Sequence, residues 1–327
     1  MKRYNFAHKM LHKICLSSKL SKRTIFDLEK FFFYKENPGI KNKQHLFITG
    51  LPRSGTTALL NYIYKTNSFA SLTYSDMPFV LSPNLFSKFF INKKNVELKR
   101  LHDDGIKYNL KSPEAFDEVF WNMIDEDEYK DDFIKYITLI LKKYNKEKYL
   151  SKNNSNYKRI KEINFIFPSA YFLVTFRDPL QQAYSLLNQH KKFCELQKKD
   201  KFILTYMNYL GHNEFGLNYK SWNLPKKFSD AININHWLEQ WYLFYKNIYE
   251  NINGYKNIIL VSYDNLCKDI KLVNLLLSNV GLNIEEASNP FNLSYKNNIE
   301  KFDKEILSVC NEIYLKLLNS KKNLNSL

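Results

Sequence analysis

Cysteine is scarce in this chain of 327 residues, and its four copies, Cys15, Cys194, Cys267 and Cys310, form no CxxC pair. This pattern argues against a disulfide framework and against a cysteine-ligated zinc site, and it fits the reducing cytoplasm. Glycine and proline are few, at 8 and 9 residues, which excludes collagen-like and low-complexity chains. No apolar run approaches the roughly 20 residues that cross a bilayer, so no transmembrane segment is expected.

Arginine is rare as well, although the formal net charge is +16. The chain has 43 lysines but only six arginines, and we interpret much of the lysine excess as a solvated surface without a dedicated partner. No spacing typical of a nucleic-acid-binding module is present, so no nucleic-acid partner is expected. Because arginine is rare, the places where it does occur are informative.

Short β-rich runs alternate with helical patterns along the chain. The β candidates are 45–49, 69–75, 148–152, 170–176 and 257–263. The helical patterns between them cover 56–65, 114–122, 131–144, 157–166, 179–197 and 236–251. This alternation predicts an α/β fold with a P-loop-like, mainly parallel five-stranded sheet flanked by helices. In such sheets ligands bind outside the carboxyl ends of the strands.

The domain organisation predicted from this pattern has three parts. Residues 1–40 form a basic helical N-terminal arm without the apolar core of a secretory signal, which we interpret as a lid or packing arm or, alternatively, as a peripheral membrane contact. Residues 41–290 form the catalytic domain, in which the aromatic insertion 198–235 is a candidate cap over a bound substrate. Residues 291–327 form a C-terminal helical segment.

The first candidate site follows the first β run directly. It reads Gly50-Leu51-Pro52-Arg53-Ser54-Gly55-Thr56-Thr57 and leads into a helical pattern. A strand, a glycine-bearing loop and a helix start form the layout that holds an anion with backbone N–H groups at the positive end of a helix. Thr56 stands where a nucleotide-triphosphate P-loop needs lysine, and the cation is instead Arg53, inside the loop.

The second candidate site follows the β run 170–176. Asp178 suits the N-cap of the next helix and Pro179 suits its first turn, which leaves Arg177 at the strand tip. A guanidinium at a strand tip offers a fork that fits a phosphate. Ser185 follows eight residues after Arg177, on the same predicted helix.

Together, these two motifs resemble the cofactor signatures of sulfotransferases that use 3′-phosphoadenosine 5′-phosphosulfate (PAPS). The first is similar to the family's Pro-Arg/Lys-Ser-Gly-Thr-Thr loop for the 5′-phosphosulfate, and the second to its Arg…Ser pair for the 3′-phosphate. The resemblance covers about residues 44–282. It implies a cofactor site formed by Pro52, Arg53, Ser54, Gly55, Thr56, Thr57, Arg177, Ser185 and Tyr263, where Tyr263 contributes to adenine binding. The family's late Arg-Lys-Gly signature is absent, and Lys296 is the candidate substitute.

The resemblance also implies an in-line transfer of a sulfuryl group from PAPS to a hydroxyl or amine acceptor, without a metal ion. Arg53 and Lys152 are the candidate cations for this reaction. The general base is open, because Asn154 occupies the position of the histidine found in many cytosolic relatives. Asp76, His102 and Glu114 are the candidates for it, in that order.

The acceptor cannot be identified from these motifs, and a small molecule, a lipid and a glycan all stay open. The alternative functions are a P-loop kinase or NTPase-like protein and a catalytically inactive relative that still binds PAPS. Thr56 argues against the kinase alternative, because P-loop kinases and NTPases need lysine at this position.

Overall fold

The computed structural model describes residues 5–86, 98–99, 107–125, 129–295 and 301–326. His102 and Lys296 lie outside these residues. The strands are β1 (Leu46–Thr49), β2 (Phe69–Ala70), β3 (Leu98–Lys99), β4 (Lys107–Tyr108), β5 (Lys148–Lys152), β6 (Tyr171–Phe176) and β7 (Ile258–Ser262).

Five of these strands form one parallel sheet in the order β2–β5–β1–β6–β7. Strands β3 and β4 form a separate antiparallel ribbon. All residues of β1 and β7 are buried, as are all but the first residue of β6. Continuous burial is what a parallel sheet requires when helices cover both of its faces. The predicted α/β fold and five-stranded sheet are therefore confirmed.

The helices connect and flank these strands. They are α1 (Phe6–Leu16), α2 (Lys19–Phe33), α3 (Thr56–Lys65), α4 (Glu118–Trp121), α5 (Tyr129–Tyr144), α6 (Ile160–Ile166), α7 (Pro179–Lys199), α8 (Lys201–Leu210), α9 (Ile234–Asn251), α10 (Tyr263–Lys268), α11 (Ile270–Asn279) and α12 (Lys304–Leu318). Helix α3 has the predicted bounds, and Asp178 caps α7 by accepting the N–H of Gln181 at 2.8 Å. Glu114 was predicted at a helix start, whereas α4 begins four residues later.

The second predicted β run, 69–75, is mostly not a strand. Only Phe69 and Ala70 pair with β5, and the chain then enters a short 3₁₀ turn over Tyr74–Asp76. The Asp76 carboxylate accepts the backbone N–H of Thr73 at 2.7 Å, and the Thr73 side chain completes the reciprocal capping box. This local bonding competes with the strand ladder for the backbone groups and ends β2 early.

The chain divides into two compact units. The first comprises Met1–Phe47, Thr57–Ala170 and Thr205–His212, and the second comprises Ile48–Thr56, Tyr171–Leu204 and Asn213–Leu327.

The core of the first unit contains Phe47, Phe133 and Tyr149, all fully buried. His45, at the edge of this core, is also buried. Its Nε2 lies 2.9 Å from the carbonyl oxygen of Ile40, and its Nδ1 accepts the N–H of Tyr149 at 3.0 Å. These contacts fix a neutral imidazole, and burial lowers the pKa of His45 to about 4.

The second unit packs α9 against α7 and α12. Trp237 and Trp241 of α9 are fully buried in it. The N–H groups of both indoles are satisfied, because Trp237 donates to the carbonyl of Ala231 at 2.9 Å and Trp241 donates to Gln182 at 3.0 Å. The two large indole rings are thus buried with their donors satisfied.

Candidate functional site

The loop between β1 and α3 requires glycine at two positions. Gly50 has φ = +139°, and a Cβ atom there would lie 2.4 Å from the carbonyl oxygen of Thr175. Gly55 has φ = +91°, and a Cβ atom there would lie 2.1 Å from Cδ2 of Tyr263. Both the backbone conformation and the close approach therefore exclude a side chain. The two glycines of the motif are explained by the packing of the loop against β6 and α10.

Arg53 lies between these glycines in a left-handed conformation, with φ = +72°. A non-glycine residue there costs on the order of 1 kcal/mol, so other contacts must hold it in place. Its Nε donates to Oγ of Ser185 at 2.8 Å. This hydrogen bond joins the first sequence motif to the second across 132 residues of chain.

The Ser54 side chain faces inward from the loop. Its hydroxyl donates to the carbonyl of Leu51 at 2.7 Å and lies 2.7 Å from Oγ1 of Thr175. Ser54 is fully buried. Its side chain therefore fixes the loop onto β6.

Gln182 fixes the same loop from α7, and sequence reasoning did not identify it. Its Nε2 donates to the carbonyl oxygen of Pro52 at 3.0 Å, and its Oε1 accepts the indole N–H of Trp241. The side chain is fully buried. The only signal for it in the sequence is its position, one helical turn after the Asp178 N-cap and one turn before Ser185. This position places it near the first turn of α7.

Arg177 lies at the end of β6 and is 7% exposed. Its Nε is 3.6 Å from Oδ1 of Asp264, and its Nη2 donates to the carbonyl of Ser294. Among the residues that the structure describes, nothing accepts a hydrogen bond from the buried Nε. The guanidinium is thus held by one carboxylate and still has an unsatisfied donor, which is unusual for a buried group.

Asp264 is the residue that orients Arg177, and its carboxylate also accepts the N–H of Asp178 at 2.7 Å. Burial raises the pKa of Asp264, whereas the Asp178 N–H and the Arg177 charge oppose this rise. Sequence reasoning did not identify Asp264 as the partner of Arg177. Its position directly after Tyr263 at a strand end was the available signal.

Tyr263 opens α10 at the end of β7, and its ring lies against Gly55. The hydroxyl is 3.4 Å from the carbonyl oxygen of Asn292, and burial raises the pKa of the phenol. Arg53, Gly55, Arg177 and Tyr263 thus belong to one unit. Arg53 contacts Ser185, Gly55 contacts Tyr263, and Arg177 contacts Asp264, the residue after Tyr263.

Residues 213–235 of the predicted cap insertion belong to the second unit and are held there by buried polar side chains. Glu239 of α9 accepts the backbone N–H groups of Lys226, Lys227 and Phe228, each at 2.9 Å. Gln197 of α7 accepts the N–H of Leu217 at 2.6 Å. A loop with this many anchored amides has a defined shape.

Asp76, the first candidate for the base, belongs to the first unit, where its side chain is fully buried. The carboxylate accepts from the Tyr144 hydroxyl at 2.5 Å and from the Lys143 ammonium, in addition to the Thr73 N–H. These contacts hold the 3₁₀ turn against α5. They also occupy both carboxylate oxygens.

The other candidates of the first unit differ in burial. Lys152 ends β5 and is buried, as is Asn154 two residues later. Glu114 is half-buried, and its carboxylate accepts from the Tyr74 hydroxyl at 2.6 Å and from the N–H of Ala115 at 3.0 Å.

Arg159, in the first unit, is fully paired with a neighbouring carboxylate. It donates two hydrogen bonds to Glu118, at 2.8 and 2.9 Å, in a planar fork. Burial of Glu118 would raise its pKa, but Arg159 and Asn153 outweigh burial and lower it. Arg177 differs from Arg159, because no carboxylate among the described residues forms a bidentate pair with it and its Nε donor is unsatisfied.

Comparison with known proteins agrees with this architecture. The sequence model of the sulfotransferase family matches residues 45–212, about half of the chain. This chain belongs to the sulfotransferase family. No curated protein sequence matches it.

Solved structures with a similar fold include a sulfotransferase from Mycobacterium tuberculosis H37Rv. It is 12% identical, with a TM-score of 0.51 over 97% of this chain and 87% of that one. A sulfotransferase from Mycobacterium avium is 11% identical, with a TM-score of 0.48 over 98% of this chain and 79% of that one. At such identities, the first of these matches supports the fold alone.

Two kinds of feature are absent from the described residues. These residues contain no helix long and apolar enough to cross a membrane. They also contain no group of three His, Cys, Asp or Glu side chains arranged to hold a metal ion.

Proposed function

We propose that this sulfotransferase uses PAPS as the donor and transfers its sulfuryl group to a hydroxyl or amine acceptor, without a metal ion. The observation that carries the proposal is the hydrogen bond from Arg53 to Ser185. Each residue belongs to a different half of the PAPS signature, and a chance sequence match would not require the two side chains to meet.

The donor groups of the second unit fit a ligand with phosphate at two places. At the first, the glycine-bearing loop precedes the N-terminus of α3, where N–H groups and the helix dipole favour an anion. At the second, Arg177 presents a buried Nε donor without an acceptor among the described residues. An anion with a phosphate on the 3′ side of a ribose supplies such an acceptor, whereas a 5′-monophosphate lacks it.

PAPS, when bound, supplies an activated sulfuryl group whose leaving oxygen belongs to a phosphate. In the proposed mechanism Arg53, Thr56 and Thr57 hold the loop-bound end and stabilise the negative charge that develops there. Lys152 supplies the second cation, as the resemblance implies. The chain's task is positioning and charge stabilisation, which is typical of in-line transfers between oxygens.

The proton of the acceptor needs a base, and Asp76, His102 and Glu114 remain the proposed candidates. The contacts of Asp76 set a structural requirement that must be met before it can act as the base. Its carboxylate is fully buried among Thr73, Lys143 and Tyr144, so an acceptor can reach it only if these contacts open. Asp76 as a base therefore implies that the short turn over Tyr74–Asp76 rearranges when the acceptor binds.

Calorimetric titration with adenosine 3′,5′-bisphosphate, adenosine 5′-phosphate and ATP–Mg²⁺ tests the donor assignment. We expect the bisphosphate to bind tightest and to need no divalent cation. Tightest binding of ATP–Mg²⁺ would support the kinase alternative instead.

Labelled PAPS with pooled hydroxyl and amine acceptors, including small molecules, lipids and glycans, then tests for turnover. Transfer to any of these acceptors supports the proposal. Bisphosphate binding without transfer to any acceptor in the pools would favour the inactive relative.

A further inference from the structure

The N-terminal arm of the first unit exposes apolar side chains in two stripes. The α1 stripe consists of Phe6, Met10 and Ile14, which are four residues apart and so share one helix face. The α2 stripe consists of Leu20, Leu28, Phe31 and Phe32. Phe6 is 83% exposed and Phe31 is 82% exposed. Single exposed apolar residues are ordinary on a protein surface, but aligned stripes of this kind indicate a binding surface.

The α2 stripe faces outward because the opposite face of α2 is fixed to the first unit. Phe26 is fully buried, with its ring 5.7 Å from that of Phe120. The buried Glu29 carboxylate accepts the N–H of Asn84 at 2.8 Å and the N–H of Leu85 at 2.9 Å. These contacts set the rotation of the helix about its axis, so Phe31 and Phe32 cannot turn inward without breaking them.

Positive charge accompanies the α1 stripe. On α2, Lys22 is buried, and Lys19, Arg23 and Lys30 are paired with carboxylates. Residues 5–35 contain seven Lys or Arg but only two Asp or Glu. Both acids are engaged within the fold, Glu29 as described above and Asp27 with Lys30 at 2.8 Å. On α1, Lys9 and Lys13 follow one edge of the apolar stripe at helical spacing. The surface is therefore apolar on both helices and basic along α1.

We propose that helices α1 and α2 dock this protein on an anionic lipid bilayer, with the two stripes entering the interface and the lysines contacting lipid phosphates. An amphipathic helix with Phe and Leu on one face and Lys or Arg beside it is the arrangement that binds at this depth. A second copy of the chain would bring the same positive charge into contact with itself. A nucleic acid would supply negative charge but no apolar phase for Met10, Ile14 and Leu20.

The test is co-sedimentation of the full chain with vesicles, without any nucleotide, so that it does not depend on the proposed function. We expect binding to mixed phosphatidylcholine–phosphatidylglycerol vesicles and little binding to pure phosphatidylcholine vesicles. The variants F31S/F32S on α2 and F6S/M10S on α1 should each weaken binding by roughly tenfold or more, because each removes two apolar anchors. K9Q/K13Q should weaken it by about the same factor and make it less sensitive to salt.

Matched controls come from the second unit. L224S replaces an apolar side chain that is 88% exposed, and K198Q/K199Q removes two exposed lysines from the end of α7. Both should bind like the original chain. All of these substitutions change surface residues, so equal melting temperatures will show that each variant is folded.

Two results would overturn the proposal. The first is unchanged vesicle binding in both apolar variants, which would mean that the stripes do not enter the bilayer. The second is a loss of binding in K198Q/K199Q equal to that in K9Q/K13Q, since general attraction between a +16 chain and any polyanion would then explain the binding.

Discussion

Replacing Arg177 by alanine separates the structural contribution of this residue from its proposed contribution to binding. Its Nε lies 3.6 Å from the Asp264 carboxylate, and the two side chains are 8% and 9% exposed. At an effective dielectric constant of about 20, two charges at this distance attract by roughly 4–5 kcal/mol before desolvation is considered. Breaking such a buried pair from one side costs about 3–5 kcal/mol, since the remaining charge stays buried. We therefore expect R177A to lower the free energy of unfolding by about 3 kcal/mol at neutral pH.

The same substitution should weaken adenosine 3′,5′-bisphosphate binding by ~2–4 kcal/mol, which is roughly 30-fold to 1000-fold in Kd. Adenosine 5′-phosphate should be little affected, because it lacks the phosphate that Arg177 is proposed to contact. Urea unfolding measures the stability change and calorimetric titration measures the two affinities.

The double variant R177A/D264N distinguishes the two effects. Asparagine can still accept the N–H of Asp178 but leaves no unpaired buried charge, so most of the lost stability should return. The affinity for the bisphosphate should not return. The matched control is R159A, which removes a paired arginine from Glu118 and should cost stability without changing the ratio of the two nucleotide affinities.

Two results would refute this reasoning. Equal weakening of bisphosphate and monophosphate binding in R177A would remove the case for a 3′-phosphate contact. Recovery of bisphosphate affinity in the double variant would mean that R177A acts only by disturbing Asp264.

Three further predictions concern the loop, the base and pH. G55A should weaken bisphosphate binding more than tenfold in calorimetric titration, since its new methyl would lie 2.1 Å from an aromatic carbon, whereas G254A, with open space around Cβ, should not. If Asp76 is the base, D76N should lower turnover by ~10²–10⁴-fold per folded molecule. K143M, which breaks the Lys143–Asp76 ion pair without removing the carboxylate, should lower the melting temperature and reduce the normalised turnover much less than D76N does. The folded-state pKa of His45 is about 4, so the unfolded chain binds more protons between pH 4 and about 6.5. Stability should therefore fall by about 2 kcal/mol from pH 7 to pH 5 in urea unfolding, and a dependence as steep in H45Q would contradict this assignment.

The sequence by itself determined the fold class and four of the five sheet strands to within one residue at each end. Buried parallel strands need short continuous apolar runs, and these runs are visible without any tertiary information. It also located the glycine-bearing loop and the Asp178 cap, because both depend on the conformational preferences of neighbouring residues. The prediction was wrong for β2, which is shorter than the run 69–75. The Asp76 side chain accepts the backbone N–H of Thr73 within that run and so competes with strand pairing.

Only the tertiary structure decided which side chains of the candidate site have partners. Gln182 and Asp264 hold the loop and Arg177 through contacts across 130 and 87 residues of chain, and no local pattern carries that information. The same is true of Asp76, which the sequence presented as a carboxylate after a strand and the fold surrounds with Lys143 and Tyr144. Periodicity and turn preference act over a few residues, whereas hydrogen-bond partners and burial depend on which distant segments pack together.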